Sequence, residues 1–295
     1  MKRPFVFAAV ASLLIATAVL AQPAGTSQPG ESRSDIRLEA YRFNNFFQAT
    51  VPGGEQNINA LGLEYRYAKR FAAEDEIFAH ASVRGFNQSG ISNSYGARVG
   101  LNHPGTVHQY RVYLDERLNA PSFDVGNTYG QANTTTLAGE YSYRLMKIWQ
   151  LGVDGDAERQ TFQKNSNRNN TALDLGTSVR YRGFGYKFVP GAGVRTGTRR
   201  VNASTENYRE NDWWVQAEYI PRPWLYLSGR YTGRTRDYSN VDRNEDRPQI
   251  TFIASIKNTP RLTWLIYYAR ETVKSSRRNS NFEDSMLLIG PQFRF

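Results

Sequence analysis

The sequence predicts an all-β protein, a transmembrane antiparallel up-and-down β-barrel of about 14 strands, with 12 or 16 as the neighbouring even counts. Three observations carry this. Hydropathy alternates with period two, polar connections alternate between long and short, and the chain is polar on average yet rich in aromatic residues. Mean hydropathy is -0.60, which excludes a bundle of apolar transmembrane helices, while Tyr (18), Phe (16) and Gly (24) are abundant. Cysteine is absent, which excludes a disulfide framework, Cys-ligated zinc, iron–sulfur clusters, a thiol nucleophile and a lipidated cysteine. Thirty-seven basic residues against 27 acidic ones give a net charge of +10. A basic, aromatic-rich chain is also what nucleic acid attracts, so the compartment has to decide.

Residues 1–21 read as an export signal. Lys2 and Arg3 form the positive start, Phe5 to Leu20 the apolar stretch, and Val19-Leu20-Ala21 the small-residue cleavage site. Its removal leaves 274 residues with a net charge of +8, and export takes nucleic acid out of the expected partners. Residues 22–34, rich in Gly, Ser, Pro and Gln, read as a flexible periplasmic lead-in. The barrel is then expected over residues 35–295.

Along that stretch apolar residues alternate with polar ones. Ile36, Leu38 and Ala40 open the first strand, although Tyr41 and Phe43 blur it. Leu61, Leu63, Tyr65 and Tyr67 enclose Gly62, Glu64 and Arg66; Ile77, Ala79, Ala81 and Val83 enclose His80 and Ser82; Tyr95, Ala97, Val99 and Leu101 enclose Arg98. Leu137, Gly139, Tyr141, Tyr143 and Leu145 enclose Glu140, Ser142 and Arg144, and Trp149, Leu151, Val153 and Ala157 enclose Asp154 and Asp156. Leu173, Leu175, Val179 and Tyr181 follow with Asp174 and Arg180, then Trp213, Val215, Ala217 and Tyr219 with Glu218, and Leu225, Leu227 and Tyr231 with Arg230. Around Leu262 to Tyr268 both faces are apolar.

A soluble sandwich also alternates, so the connections matter more. Polar segments near 47–57, 86–93, 119–133, 163–171, 199–211, 237–248 and 274–283 alternate with tighter reversals near 69–75, 102–106, 145–148, 182–185, 220–223 and 258–261. Seven longer loops and six turns imply 14 strands with both chain ends on one side, at about 20 residues per strand and connection against the 9 to 11 a tilted spanning strand needs. Tyr67, Trp149, Tyr219, Trp224 and Trp264 fall beside the turns, and Tyr95, Trp213, Tyr231 and Tyr268 toward the loops, as two interfacial girdles require.

Gly290, Phe293 and Phe295 end the chain in the segment Leu288-Ile289-Gly290-Pro291-Gln292-Phe293-Arg294-Phe295. This ending resembles the terminal signal by which outer-membrane barrels are recognised for insertion, with Leu288 at a position that is usually polar. A second resemblance is carried by Leu225-Tyr226-Leu227-Ser228-Gly229-Arg230-Tyr231, continued by Thr235-Arg236-Asp237-Tyr238-Ser239-Asn240 and Asp242-Arg243-Asn244. This hairpin is similar to one in the outer-membrane β-barrel porin family that includes barrels associated with exopolysaccharide operons. The resemblance implies a barrel in the cell outer membrane that helps surface polysaccharide cross or anchor, with no characterised catalytic residue.

Parity assigns Arg66, Arg84, Arg98, Arg144, Arg180, Arg182, Arg230, Asp154, Asp156 and Glu158 to the lumen, together with Glu64, His80, Glu140, Asp174 and Glu218. Arginine outnumbers lysine 30 to 7, and guanidinium groups pair bidentately with carboxylates, sulfates and phosphates. Two readings stay open: a porin-like path for anionic or sugar-acid solutes, or charges that neutralise one another in a narrow, structural or surface-anchoring barrel. Arg199-Arg200 and Arg277-Arg278 fall in expected outer loops, where lipopolysaccharide phosphate is the natural anion. Asp154, Asp156 and Glu158 read as solvated lining or arginine partners rather than a divalent-ion site.

An enzyme is not expected. The three histidines, His80, His103 and His108, fall in the wrong places for a lipid-active His/Ser pair. Asp237, Asp242, Glu245 and Asp246, interspersed with Arg236, Arg243 and Arg247, read as a solvated loop rather than a protease site. No P-loop, dinucleotide fingerprint or zinc motif is present, and neither cofactor nor metal is expected. The expected partners are outer-membrane lipid and lipopolysaccharide, the barrel-assembly machinery, and anionic polysaccharide or small polar solutes, with the barrel itself a monomer.

Overall fold

The computed structural model describes residues 30–44, 57–72, 74–88, 91–122, 130–163, 165–277 and 281–295. The expected export signal, residues 22–29 of the lead-in, and Arg278 lie outside the described residues. The chain runs as β1 (Ser32–Asn44), β2 (Ile58–Arg70), β3 (Glu76–Phe86), β4 (Ser94–His103), β5 (His108–Ser122), β6 (Gly130–Leu145), β7 (Trp149–Phe162) and β8 (Asn170–Tyr181). It continues as β9 (Phe188–Val201), β10 (Tyr208–Arg222), β11 (Leu225–Tyr238), β12 (Asn244–Asp246), β13 (Gln249–Lys257), β14 (Leu262–Ser275) and β15 (Phe282–Arg294).

Each segment pairs antiparallel with its neighbours, and β1 pairs with both β2 and β15, so the sheet closes on itself. β12 and β13 are one barrel strand. Thr235↔Asp246 and Thr232↔Gln249 share a single alignment on β11, as Asp246↔Lys274 and Gln249↔Glu271 do on β14. Pro248 lacks an N–H and interrupts the ladder between them. The result is the expected closed barrel of 14 strands. β1 begins at Ser32, within the stretch read as lead-in. Ser32, Arg33 and Ser34 register against Lys69, Ala68 and Tyr67, and the Arg33 guanidinium reaches Glu76 at 2.9 Å.

The parity read from the sequence sorts the side chains. Leu61, Leu63, Val99, Leu137, Leu173, Leu175, Val194, Val215, Ile250 and Phe252 face outward and are exposed. Residues between them face inward and are buried or half-buried. In β5 a bulge between Arg117 and Ala120, with Asn119 at φ 53°, resets the alternation, the left-handed conformation being one that asparagine tolerates. At the closing seam the backbones approach closely: a Cβ on Gly290 would collide with the Leu38 carbonyl oxygen. Only glycine fits there.

Aromatic rings form a continuous belt at the short-turn ends of β7 to β10. Trp149 meets Tyr181 at 4.8 Å between ring centroids, Tyr181 meets Phe184 at 5.1 Å, Phe184 meets Phe188 at 5.8 Å, and Phe188 meets Tyr219 at 6.5 Å. Toward the long loops Trp213 and Tyr231 stand 5.4 Å apart.

The interior departs from a uniformly polar lining. One wall, from β13 through β14 and β15 to β1 and β2, carries a buried apolar cluster that includes Tyr41, Phe43, Ile58, Leu265, Tyr267, Met286 and Leu288. This explains the two ambiguous strands. Tyr41, Phe43, Leu265 and Tyr267 break the polar alternation because they pack against one another inside the barrel. A smaller cluster of Ala68, Phe78, Tyr113 and Ala138 lies nearer the short turns.

Candidate functional site in the barrel interior

The inward faces place charges in groups, each held by neighbouring strands. On β1 to β3, Glu64 accepts two hydrogen bonds from Arg66, at 2.9 Å from Nε and 2.8 Å from Nη2, while Arg37 lies at 3.5 Å and His80 Nδ1 at 3.8 Å. Tyr41 donates its hydroxyl hydrogen to Glu39 and accepts from Arg84 Nη2 at 2.6 Å; the Arg84 guanidinium lies over the Tyr41 ring, 4.1 Å from its centroid. On β4 and β5, Asp115 holds Arg98 at 3.2 Å and Arg117 at 2.8 Å.

Across β7 to β10, Arg195 reaches both Asp154, at 3.3 Å, and Asp156, while Arg199 pairs with Glu158 at 3.1 Å and with Asn170 at 2.6 Å. Gly176 and Gly197 make room for these carboxylates: a Cβ on Gly176 would stand 2.7 Å from Asp154 Oδ1, and one on Gly197 would meet Asp174. Arg180 binds Glu218 at 3.2 Å, and Arg182 donates through Nε to Gln150 at 2.8 Å.

The densest network closes the long-loop end of β10 to β14. Arg234 makes two 3.0 Å hydrogen bonds to Asp212, and Arg236 binds Glu210. Arg243 donates through Nε to Glu245 at 3.1 Å, and Arg247 pairs with Glu271 through bonds of 3.2 and 3.1 Å. The side chains of Arg247 and Glu245 are 0% exposed and that of Glu271 is 1% exposed. Buried charges persist only when paired and hydrogen-bonded; each charge here has an opposite partner, although Arg247 Nη1 is buried without a hydrogen bond and meets Glu245 only at 3.8 Å. The segment therefore differs from the solvated loop the sequence suggests. Pro248 and the surrounding Asn, Asp and Arg residues imitate a loop, whereas register carries Glu245 and Arg247 into the wall.

The ten lumen residues expected from parity fall into two kinds. Arg66, Arg98, Arg180, Asp154, Asp156 and Glu158 stand in ion pairs. Arg182 is bound by a neutral glutamine, Arg84 by a tyrosine, and Arg230 by the Thr232 hydroxyl at 3.2 Å and the Trp214 ring at 4.4 Å. Arg144 Nε is buried with no hydrogen-bond partner among the described residues. Arg111, absent from the expected set, lies over Phe78 at 4.4 Å and Tyr113 at 5.4 Å. Among the described residues Arg84, Arg111, Arg144 and Arg230 make no ion pair with a carboxylate. On the acidic side Glu140 Oε1 is buried and unbonded. Arg199 and Arg200, expected in a loop, lie in β9 because Asn170, Thr171 and Ala172 hold their backbone in register. Among the described residues no group of three or more His, Asp or Glu side chains suits a metal ion.

Two histidines sit near the turns. His103 Nδ1 lies 2.7 Å from Asp75 and Nε2 3.2 Å from Glu74, with its ring stacked on Tyr110 at 4.8 Å. The Asp75 carboxyl is held below the usual aspartate range by the hydrogen bonds from His103 and Tyr110. His108 Nδ1 lies 2.8 Å from the Tyr141 hydroxyl.

No family model and no curated protein matches the chain. Solved structures of similar fold include the outer-membrane expressed OmpT of Vibrio cholerae, at 8% identity and TM-score 0.52, covering 91% of this chain and 99% of that one. They also include the COG4313 outer membrane channel from Pseudomonas putida F1, at 11% identity and TM-score 0.53, covering 93% and 99%. At such identities the likeness is one of fold, and the fold is the closed β-barrel of outer-membrane proteins.

Proposed function

We propose that the chain is an outer-membrane, porin-like conduit for small polar solutes, with an arginine-rich lumen that favours anions, and not an enzyme. The observation that carries this reading is the two-sided wall. An exposed aliphatic outer face closes around an inner face of charges, on which Asp154, Glu64 and His80 keep 30%, 15% and 19% of their side-chain surface open. Fixed charges on a low-dielectric wall focus their field into the lumen. The paired arginines are electrostatically spent on their partners. Arg84, Arg144 and Arg230, half-buried, and the buried Arg111 are the cations whose field is left for a passing anion.

The filled apolar wall narrows the path, in keeping with a strand count between the roughly 8 that enclose a packed interior and the 16 to 18 that leave an open channel. Sugar acids and short anionic saccharides fit this charge pattern. A role in exopolysaccharide secretion rests on the resemblance of the hairpin from Leu225 to Asn244.

The test is swelling of liposomes that contain the refolded protein. Glucuronate and glucose are expected to enter, the acid faster, and R111E/R230E is expected to remove that preference. Vesicles as tight as protein-free ones would refute the conduit. For the secretion role, deletion of the gene is expected to lower surface polysaccharide, and an unchanged amount would refute it.

A further inference from the structure

Above the aliphatic band of β7 to β10, on the lipid side, stand three exposed arginines: Arg159 on β7, Arg200 on β9 and Arg209 on β10. Register brings them together. Arg159 is directly opposite Thr171, and Thr171 is directly opposite Arg200, so the two arginines flank one threonine about 10 Å apart, twice the interstrand spacing. Arg209 is opposite Thr198, two residues from Arg200, which makes Arg200 and Arg209 diagonal neighbours at about 7 to 8 Å. Thr161 and Thr198 add exposed hydroxyls on the same faces.

The depth of the patch is marked by what lies below it. Leu173, Leu175, Val194, Val215 and the girdle residue Trp213 are all exposed on the same face. The arginines begin where these end, at the level of lipid headgroups. A lipid-facing arginine costs about 2 to 4 kcal/mol at the bilayer midplane and about 0 to 1 near the interface, so only the headgroup zone suits three of them. Among the described residues none of the three side chains has a hydrogen bond or an ion pair. The outward Arg270, by contrast, is taken by Glu283 at 2.8 Å. Asp237 faces Arg209 in register and forms no ion pair with it.

We propose that Arg159, Arg200 and Arg209, with the Thr171 hydroxyl, bind a phosphate of a phosphorylated glycolipid headgroup in the leaflet at the long-loop end. Guanidinium groups engage phosphate oxygens bidentately, and two of them flanking one hydroxyl, with the third a diagonal step from Arg200, suit a tetrahedral dianion. The acyl chains of such a lipid would lie over Leu173, Val194 and Val215. The inference rests on the reading of the chain as an outer-membrane barrel and is independent of whether it conducts.

The test uses the refolded mature protein in detergent micelles, titrated with lipopolysaccharide that carries a bisphosphorylated lipid anchor and read by native mass spectrometry. Parallel titrations use the same lipid after enzymatic dephosphorylation, phosphatidylglycerol and inorganic phosphate. The bisphosphorylated lipid is expected to bind at least tenfold more tightly than the dephosphorylated form. R159Q/R200Q/R209Q is expected to lose this preference, and R42Q/K274Q, which changes outward basic residues on other strands, to keep it. Equal binding of the two lipid forms by the wild type, or an unchanged preference in the triple variant, would overturn the site. Displacement of the lipid by equimolar inorganic phosphate would mark a free-anion site and overturn the glycolipid; equally tight binding of phosphatidylglycerol would do the same. Each sample is also run unheated and boiled on a gel. A wild type without a mobility difference would count against the barrel itself, whereas a lost preference in protein that retains the difference would count against the site alone.

Discussion

Replacement of Glu271 by Gln isolates the energetic weight of the charge network that closes the long-loop end. Glu271 is 1% exposed and receives two hydrogen bonds, of 3.2 and 3.1 Å, from an Arg247 side chain that is 0% exposed. Glutamine keeps the shape and one acceptor but removes the charge, which leaves Arg247 with Glu245 at 3.8 Å as its remaining acidic partner. At an effective dielectric of about 20, opposite charges about 4 Å apart attract by about 4 kcal/mol. Breaking a buried pair by removing one partner costs about 3 to 5 kcal/mol. Glu245 and the retained hydrogen bond offset part of this, so E271Q is expected to lose about 3 kcal/mol, roughly a hundredfold in the folding equilibrium.

The assay is urea unfolding of the protein in lipid vesicles, followed by tryptophan fluorescence and by the mobility of unheated samples on gels. The control is E283Q, which breaks the Arg270–Glu283 pair of 2.8 Å at half-exposed side chains, a kind of pair worth about 0 to 1 kcal/mol. The double variant E271Q/R247M is expected to recover most of the loss, because an apolar side chain of similar volume no longer needs a counter-charge. A loss in E271Q no greater than in E283Q, or a double variant less stable than E271Q, would refute the reasoning.

Three further outcomes follow from the geometry. G290A brings a methyl group to the Leu38 carbonyl oxygen and is expected to lower the yield of closed barrel on refolding, whereas G229A, with open space around the new carbon, should refold as the wild type does; equal yields would contradict the seam geometry. Because the Asp75 carboxyl is held below its ordinary range by His103 and Tyr110, its contribution to stability is present above the unfolded-state pKa and is lost as pH falls through the lower folded value. The unfolding midpoint of D75N should therefore vary less with pH across that acidic window than that of the wild type, and an identical pH profile would rule the linkage out. R195Q leaves Asp154 and Asp156 without their shared partner and is expected to shift ion preference toward cations without changing the unheated gel mobility; a preference moved toward anions would contradict the assignment.

The outer face was the most legible part of the sequence. Leu61, Leu63 and Tyr65, or Leu173 and Leu175, alternate with polar residues because lipid and lumen impose opposite demands on successive side chains. The interior was legible only where an apolar outward residue marked the parity. Arg195 lies among Gly191, Gly193 and Gly197, whose missing side chains hide the alternation, and so the partner of Asp154 and Asp156 went unseen although Val194 marks the outward face. Tyr41, Phe43, Leu265 and Tyr267 obscured their strands because an apolar residue turned inward to pack looks, in sequence, the same as one turned outward to lipid. Glu245 and Arg247 look like loop residues in the sequence because Pro248 and the neighbouring polar residues mimic a loop. The overlooked signal was Glu271, set at period two between Ala269 and Val273 and needing a buried cation. Which arginines lack an acidic partner is a property of cross-strand register, and a single sequence does not contain it.

We propose that the lumen conducts and that the arginines without a carboxylate partner set its preference. The most direct measurement is the current through the refolded protein in a planar bilayer with a tenfold salt gradient. Stepwise currents are expected, with a reversal potential on the anion-preferring side that moves to the cation-preferring side in R111E/R230E. Absence of any current steps from protein that shows the folded gel mobility, or a reversal potential unmoved by the double substitution, would contradict it.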